Sequence, residues 1–264
     1  ITNYKYNFNY EILVIDDTST DNTVANISKF FKKIKIFKTK TNTGPGFCRN
    51  IGIKNSKGKF LIFLDSDDII LPGSLSFLSK IVNDNKNLKA IINNSLRNKP
   101  PYNNNYLFKL FKSNYVTTND FINKSMDQNI HIDEVWKLVV NRNFLIKNNI
   151  FFPRIHIGED QCFILKIFKY SKYLYLNNNL HIKHNYNAFG ISQKIGNLAC
   201  VSYALVVKYL NTIKSNKNDL MTYLRFKTHS VQILSFLNFI LANKKKKSVI
   251  LRNLTKEKIN VKLF

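Results

Sequence analysis

Residues 60–68 read Phe60-Leu61-Ile62-Phe63-Leu64-Asp65-Ser66-Asp67-Asp68, five apolar side chains followed at once by three carboxylates. The run is short, rich in aromatic and branched residues, and preceded by Gly58. That pattern predicts a fully buried strand in a parallel sheet covered on both faces. Such a strand stops at the carboxyl edge of its sheet, where open α/β sheets place their ligands. Carboxylates crowded at that edge repel one another. Two accounts stay open at this point. One is a solvated acidic turn that caps the next helix, with Asp68 as the cap. The other is a set of ligands for an oxygen-bound cation, Mg2+ or Mn2+.

Glu11-Ile12-Leu13-Val14-Ile15-Asp16-Asp17 repeats the design, a second apolar strand ending in acids. Thr18-Ser19-Thr20-Asp21 supplies turn and helix-cap chemistry. Val24, Ile27, Phe30 and Phe31 follow at helical spacing, and residues 34–37 form a third strand. Gly44-Pro45-Gly46 predicts a loop that lets backbone approach a ligand, with a helix carrying Arg49 just after it. Arg49 there either reaches a phosphate or covers the sheet edge. Pro72-Gly73-Ser74 opens another helix, residues 89–92 make a strand, and the Asn/Pro-rich residues 93–105 read as a loop. A helix start at Thr117-Thr118-Asn119-Asp120, the lone Trp136, a short helix over 143–149, a helix opened by Gly158-Glu159-Asp160 and a last strand over 173–176 complete the pattern. Alternation of strands and helices predicts an α/β architecture with a mostly parallel sheet over residues 1–190. Residues 191–264 read as a helical C-terminal extension.

Charge bears on partners. Lys and Arg number 41 against 16 Asp and Glu, a formal net charge of +25 over 264 residues. A basic chain can bind nucleic acid, an anionic membrane or a phosphorylated substrate. Here the lysines are dispersed among abundant Asn and Ile, as on a solvated face. A nucleic-acid partner has only the charge in its favour, and no recognition motif accompanies it. Cys48, Cys162 and Cys200 have neither metal-ligand nor redox spacing, which predicts free thiols in a reducing, cytoplasmic setting. The longest apolar stretch, residues 231–242, is interrupted by Gln232, Ser235 and Asn238 and is too short to span a bilayer. Lys244-Lys245-Lys246-Lys247 beside a Leu/Phe-rich face either docks on anionic lipid at the inner face of the membrane or is a solvated basic end.

Five segments occur in order: Ile15-Asp16-Asp17-Thr18-Ser19-Thr20-Asp21-Asn22-Thr23; Asn42-Thr43-Gly44 with Arg49-Asn50-Ile51-Gly52; Phe63-Leu64-Asp65-Ser66-Asp67-Asp68; Val135-Trp136-Lys137-Leu138; and Gly158-Glu159-Asp160. Together they resemble the family 2 inverting glycosyltransferases of the GT-A fold, a Rossmann-like sheet flanked by helices, over about residues 5–192. The resemblance implies a nucleotide-diphosphate sugar donor, a glycan or lipid-linked acceptor and Mn2+ or Mg2+. Asp17 would contact the nucleotide base, Asp65 the ribose or donor sugar, Asp67 the metal at the diphosphate, and Asp160 would be the general base on the acceptor hydroxyl. Arg49 would belong to the donor site and Glu159 would flank the base. His184 is either a further metal ligand, a phosphate contact or an ordinary histidine, and Lys183 could pair with the diphosphate.

The chain departs from the family in two places. Family members carry an apolar strand a full helix before the strand at residues 11–16, and the ten residues available here reach about 35 Å at most, too little for strand, helix and turns. The expectation is an N-terminally incomplete sheet with unpaired backbone and an open cleft. Thr18 also stands where the family usually has Gly. The competing functional reading is therefore an inactive truncated remnant or a sugar-nucleotide-binding module.

Overall fold

The computed structural model describes residues 6–30, 34–97, 108–128, 134–185, 197–210 and 212–213. In chain order the elements are β1 (Ile12–Asp16), α1 (Thr23–Phe30), β2 (Ile34–Lys38), α2 (Pro45–Asn55), β3 (Phe60–Ile62), β4 (Ile69–Ile70), α3 (Ser74–Asp84), β5 (Ala90–Arg97) and β6 (Tyr115–Thr117). Then come α4 (Thr118–Asp127), a 3-10 turn (Val135–Lys137), β7 (Leu138–Asn141), α5 (Arg142–Lys147), α6 (Glu159–Tyr170), β8 (Tyr173–His184) and α7 (Asn197–Leu210). The proposed basic block and the apolar stretch 231–242 lie outside the described residues. Among the described residues no helix is long and apolar enough to cross a membrane.

The α/β class holds, but the expected mostly parallel sheet is corrected: among the described residues strand pairing is mixed, with four antiparallel pairings and two parallel ones. β5 runs parallel to β8, while β7 is antiparallel to both β3 and β5, and β4 and β6 are antiparallel to β8. The strands form a six-stranded sheet and a separate parallel pair, β1 with β2. Among the described residues β1 pairs only with β2 and β3 only with β7, so each keeps an unpaired edge. Glu11 ties the two sheets together, its Oε1 accepting from the backbone N–H groups of Lys57 and Gly58 just before β3. The expected full burial of the first two acid-tipped strands is corrected accordingly: most of β1 and all of β3 are half-buried, because a strand with an unpaired edge loses one flank of cover.

Full burial belongs instead to residues 90–95 of β5 and to β7. Side chains alternate across the pleat. Ala90, Ile92, Leu138 and Val140 face one core with Phe63, Phe152, Phe163 and Phe168, whereas Ile91 and Val139 face a second core with Leu78, Ile81 and Leu88. The first core is covered by α6 and the second by α3. β5 runs on to Arg97 through residues expected to form a loop. Its polar Asn93 and Asn94 are buried because side chains satisfy them: Asn93 Nδ2 donates to Lys137 O at 2.9 Å, and Asn177 Nδ2 donates to Asn93 Oδ1 at 2.8 Å. β8 likewise extends eight residues past the expected end at Leu176, to His184.

Candidate active site

The local chemistry of each element aims a functional side chain. Gly44, at φ 85°, is the N-cap of α2, and Pro45 stands at its first position, where a missing N–H costs nothing. One turn later Arg49 points off the helix into a cluster of acids. Its Nη1 donates to Glu159 Oε1 at 2.9 Å and to Asp160 Oδ1 at 2.7 Å, and its Nη2 donates to Asp65 Oδ1 at 2.8 Å. The guanidinium lies 5.5 Å above the Phe152 ring, which stacks on Phe163 at 3.9 Å. Gly46 makes this approach possible, since a Cβ there would lie 2.9 Å from Glu159 Cγ and 3.2 Å from Phe152 Cβ. Asn50 secures the other wall by a reciprocal pair, donating Nδ2 to Phe152 O and accepting from Phe152 N, both at 2.9 Å. Sequence reasoning assigned Asn50 no role beyond its motif; an amide next to the arginine was the hint available.

Glu159 and Asp160 open α6, whose N-cap is Gly158 at φ 89°. A Cβ at Gly158 would meet Val206 of α7 at 2.8 Å, so both the backbone angle and the packing require glycine. Negative charge is favoured at this helix terminus. Val135 N–H adds a hydrogen bond to Asp160 Oδ2 at 3.2 Å. Arg49 is 13% exposed and Asp160 18%. Burial pushes the Asp160 carboxyl up, Arg49 opposes, and Glu159 and Asp65 reinforce the rise, leaving it at about 8. Glu159 is also raised, by burial against the counteracting Arg49. Arg49 is the reverse case: burial disfavours its charge, but Asp160, Asp65 and Glu159 more than restore it.

Asp17 sits apart from this cluster. Its carboxylate accepts from Thr39 Oγ1 at 2.7 Å, Thr43 N and Oγ1 at 2.9 Å, and Gly44 N at 2.7 Å. Burial raises its pKa, but those donors outweigh it and the net shift is downward. Asp17 thus shapes the loop that launches α2. Thr18 follows at φ 64°, a left-handed conformation costly for a β-branched side chain. That is the position where glycine was expected.

The acidic turn after β3 divides its residues. Asp65 turns to Arg49. Asp67 is exposed, and Asn185 Nδ2 donates to its carbonyl oxygen at 2.7 Å. Asp68 is buried and caps no helix: α3 begins only at Ser74 behind Gly73. Its Oδ1 contacts His184 Nδ1 at 2.8 Å and accepts from Asn185 N at 3.1 Å. The expected helix-cap role is thereby corrected, because β8 runs far enough to bring His184 to this turn. Lys183, the residue before it, stands opposite Ile69 of β4 and Leu96 of β5. The structure therefore unites Arg49, Asp65, Glu159 and Asp160, joins His184 to the acidic turn, and leaves Asp17 in the adjoining loop.

Among the described residues no group of three or more His, Cys, Asp or Glu side chains gathers to hold a metal. The donor set nonetheless fits one. Mg2+ and similar hard cations are usually held by one or two carboxylates plus substrate phosphates. Asp67 supplies an exposed carboxylate in the acidic turn, and His184 contacts the next residue, Asp68.

The family model for glycosyl transferase family 2 matches residues 2–193. The chain belongs to that family. Among its relatives, an uncharacterized glycosyltransferase of Rickettsia felis is 44% identical over 79 residues, 29% of this chain and 13% of the relative. The poly(ribitol-phosphate) beta-N-acetylglucosaminyltransferase TarS of Staphylococcus aureus is 42% identical over 64 residues, 23% of this chain and 11% of TarS. The matched stretches thus span a small fraction of those proteins. This glycosyltransferase-family chain also superimposes on the crystal structure of S. aureus TarS residues 1–349 in complex with UDP-GlcNAc, with a TM-score of 0.69 at 19% identity, covering 93% of this chain and 71% of that one. GalNAc-T7 with UDP, GalNAc and Mn2+ gives a TM-score of 0.52 at 15% identity, covering 75% of this chain and 41% of that one. At those identities the likeness establishes the GT-A fold.

Proposed function

We propose that this chain transfers a sugar from a nucleotide-diphosphate sugar to an acceptor hydroxyl on a glycan or lipid-linked molecule, with inversion. The observation that carries the reading is the convergence of Asp65, Glu159 and Asp160 on Arg49. It joins the end of a sheet strand to the start of a helix at one acid-rich edge. A uridine diphosphate sugar is the first donor to test, since the TarS structure of like fold holds UDP-GlcNAc.

Each residue has a task in that reaction. The loop that Asp17 holds forms the nucleotide end of the site. Asp65 faces the ribose or donor sugar. Asp67, with His184 on the neighbouring Asp68, would hold Mn2+ or Mg2+, which when bound offsets charge developing on the departing diphosphate. Asp160 takes the proton of the acceptor hydroxyl as that oxygen attacks the anomeric carbon from the face opposite the diphosphate. A single displacement of this kind inverts the centre. General-base assistance is worth about 10²–10⁴-fold. Arg49 opposes, without outweighing, the burial that favours protonated Asp160, and it aligns the base with the donor-side Asp65. Its guanidinium is committed to carboxylates, so it acts as a positioning residue. Lys183 remains the candidate for a diphosphate contact.

The test pairs calorimetric binding of UDP-GlcNAc in Mn2+ with release of UDP in the presence of glycan acceptors. Binding and turnover in the wild type, with turnover lost and binding kept in Asp160→Asn, support the enzyme. Binding that never leads to turnover with any acceptor would instead identify a sugar-nucleotide-binding module.

A further inference from the structure

Asp68 is the third acid of the turn, and neither the donor nor the base uses it. Its side chain is fully buried. Oδ1 accepts the backbone N–H of Asn185 and lies 2.8 Å from His184 Nδ1; an ionised carboxylate offers only acceptor lone pairs, so it pairs with that nitrogen as a donor. One face of the imidazole lies on the indole of Trp136, with ring centroids 5.0 Å apart and planes 11° from parallel. Trp136 is itself buried, next to Val135, whose N–H binds Asp160. Asn185 adds a bond to Asp67 O, fastening the end of β8 to the acidic turn. The His184 ring is thus fixed at one nitrogen and on one face. Its side chain is 30% exposed, and Nε2 has no hydrogen-bond partner among the described residues.

We propose that Asp68 is a positioning residue that locks His184 in the Nδ1–H form and leaves the Nε2 lone pair open at the acidic turn. A carboxylate behind a histidine sets the tautomer and the direction of the opposite nitrogen, an arrangement typical of metal-ligating and phosphate-facing imidazoles. The Trp136 stack makes the same ring sensitive to the segment that carries Val135, so donor side and base side share one rigid connection. What Nε2 meets in the loaded protein rests on the donor-site reading above; the locked tautomer does not.

Two measurements on the full chain test this separately. Long-range 1H–15N correlation spectra of the neutral imidazole should show the His184 proton on Nδ1 in the wild type, and exchange between both nitrogens in Asp68→Ala. A wild-type proton on Nε2 overturns the proposal whatever the protein's activity. Calorimetric titration of Mn2+ in the presence of UDP should weaken about 10–100-fold in Asp68→Ala. His184→Ala should weaken by a similar factor, and the double variant no further. Asp68→Asn, which keeps an acceptor oxygen, should recover most of the affinity and guards against loss through misfolding. Equal weakening by Asp68→Ala with and without His184 would show Asp68 to be structural only. If the wild type takes up no Mn2+ with UDP while the tautomer is as stated, the functional reading fails and the positioning role stands.

Discussion

Asp17 closes a strand, is half-buried, and is surrounded by backbone and hydroxyl donors. Asp160 opens a helix, is more deeply buried, and faces one backbone N–H and one guanidinium shared with two other acids. The first carboxylate titrates below its ordinary value and the second above it. The residue type is the same, and burial pushes both upward. The difference lies in the donors: four directed hydrogen bonds outweigh a modest desolvation, while one arginine divided among three acids does not outweigh a large one. A carboxylate held below its usual range by directed donors suits an anchor for a loop. A carboxyl poised to hold or release a proton near neutrality suits a base.

The contrast can be broken most directly at Asp160. Asp160→Asn keeps an acceptor for Val135 N–H and removes the base, so kcat should fall about 10²–10⁴-fold while donor affinity is maintained. Steady-state kinetics with parallel calorimetry would show it; an equal loss in binding would assign Asp160 to the donor instead.

Next in size is Arg49→Met. Three carboxylates then lose their buried cation, which costs on the order of 3–5 kcal/mol when they are ionised. Denaturant melts should show the loss at alkaline pH and much less of it at pH low enough to protonate the acids. A loss independent of pH would mean that the arginine contributes by packing on Phe152 rather than by charge.

The two aspartates should also separate by pH. Asp160 has a folded value raised from 3.8 to about 8, so the folded chain holds a proton that the unfolded chain has released between those limits. Its contribution is fully favourable below 3.8 and declines as pH rises towards about 8. Asp17, lowered from 3.8, stabilises above that value and loses its contribution as pH falls through its folded value. Asp17→Ala should therefore cost about 1–3 kcal/mol at neutral pH, from orphaned N–H groups at Thr43 and Gly44, and less in strong acid. In the enzyme reading, activity should rise with pH on a limb near 8, the base form of Asp160 being the active one. A pH–rate profile falling over that range would contradict it.

The smallest effect concerns the turn between the two regions. Thr18→Gly relieves a left-handed threonine and should raise stability by about 1 kcal/mol, the strain released less the extra freedom of glycine in the unfolded chain. Thermal melts resolve a shift of that size; a decrease would mean that the Thr18 hydroxyl, which donates to Asp17 O, matters more than the backbone strain.

Much of this architecture was written locally. Pro45 after Gly44 starts α2, Glu159 after Gly158 starts α6, and Thr117 caps α4 by accepting from Asp120 N, all from short-range signals of the kind that survive in any context. Residues 60–68 proved to be a shorter and less buried strand than their apolar run suggests. Its acids were placed at the sheet edge as expected. Where polar residues pair with one another, the local signal misleads: Asn93 and Asn94 read as loop, yet they are buried strand because Lys137, Asn177 and Asn178 satisfy them.

By itself, the sequence determined the family, five of the strands, most of the helix starts and the candidate acids, because period and turn chemistry act over a few residues; β4, β6 and β7 were not legible in it. Only the tertiary structure decided what those acids do to one another. Arg49 meets Asp65 16 residues away, Glu159 110 away and Asp160 111 away. Asp68 meets His184 across 116 residues. Burial and charge pairing set proton affinity and orientation, and both depend on neighbours that the chain brings together only when its sheet and helices have packed.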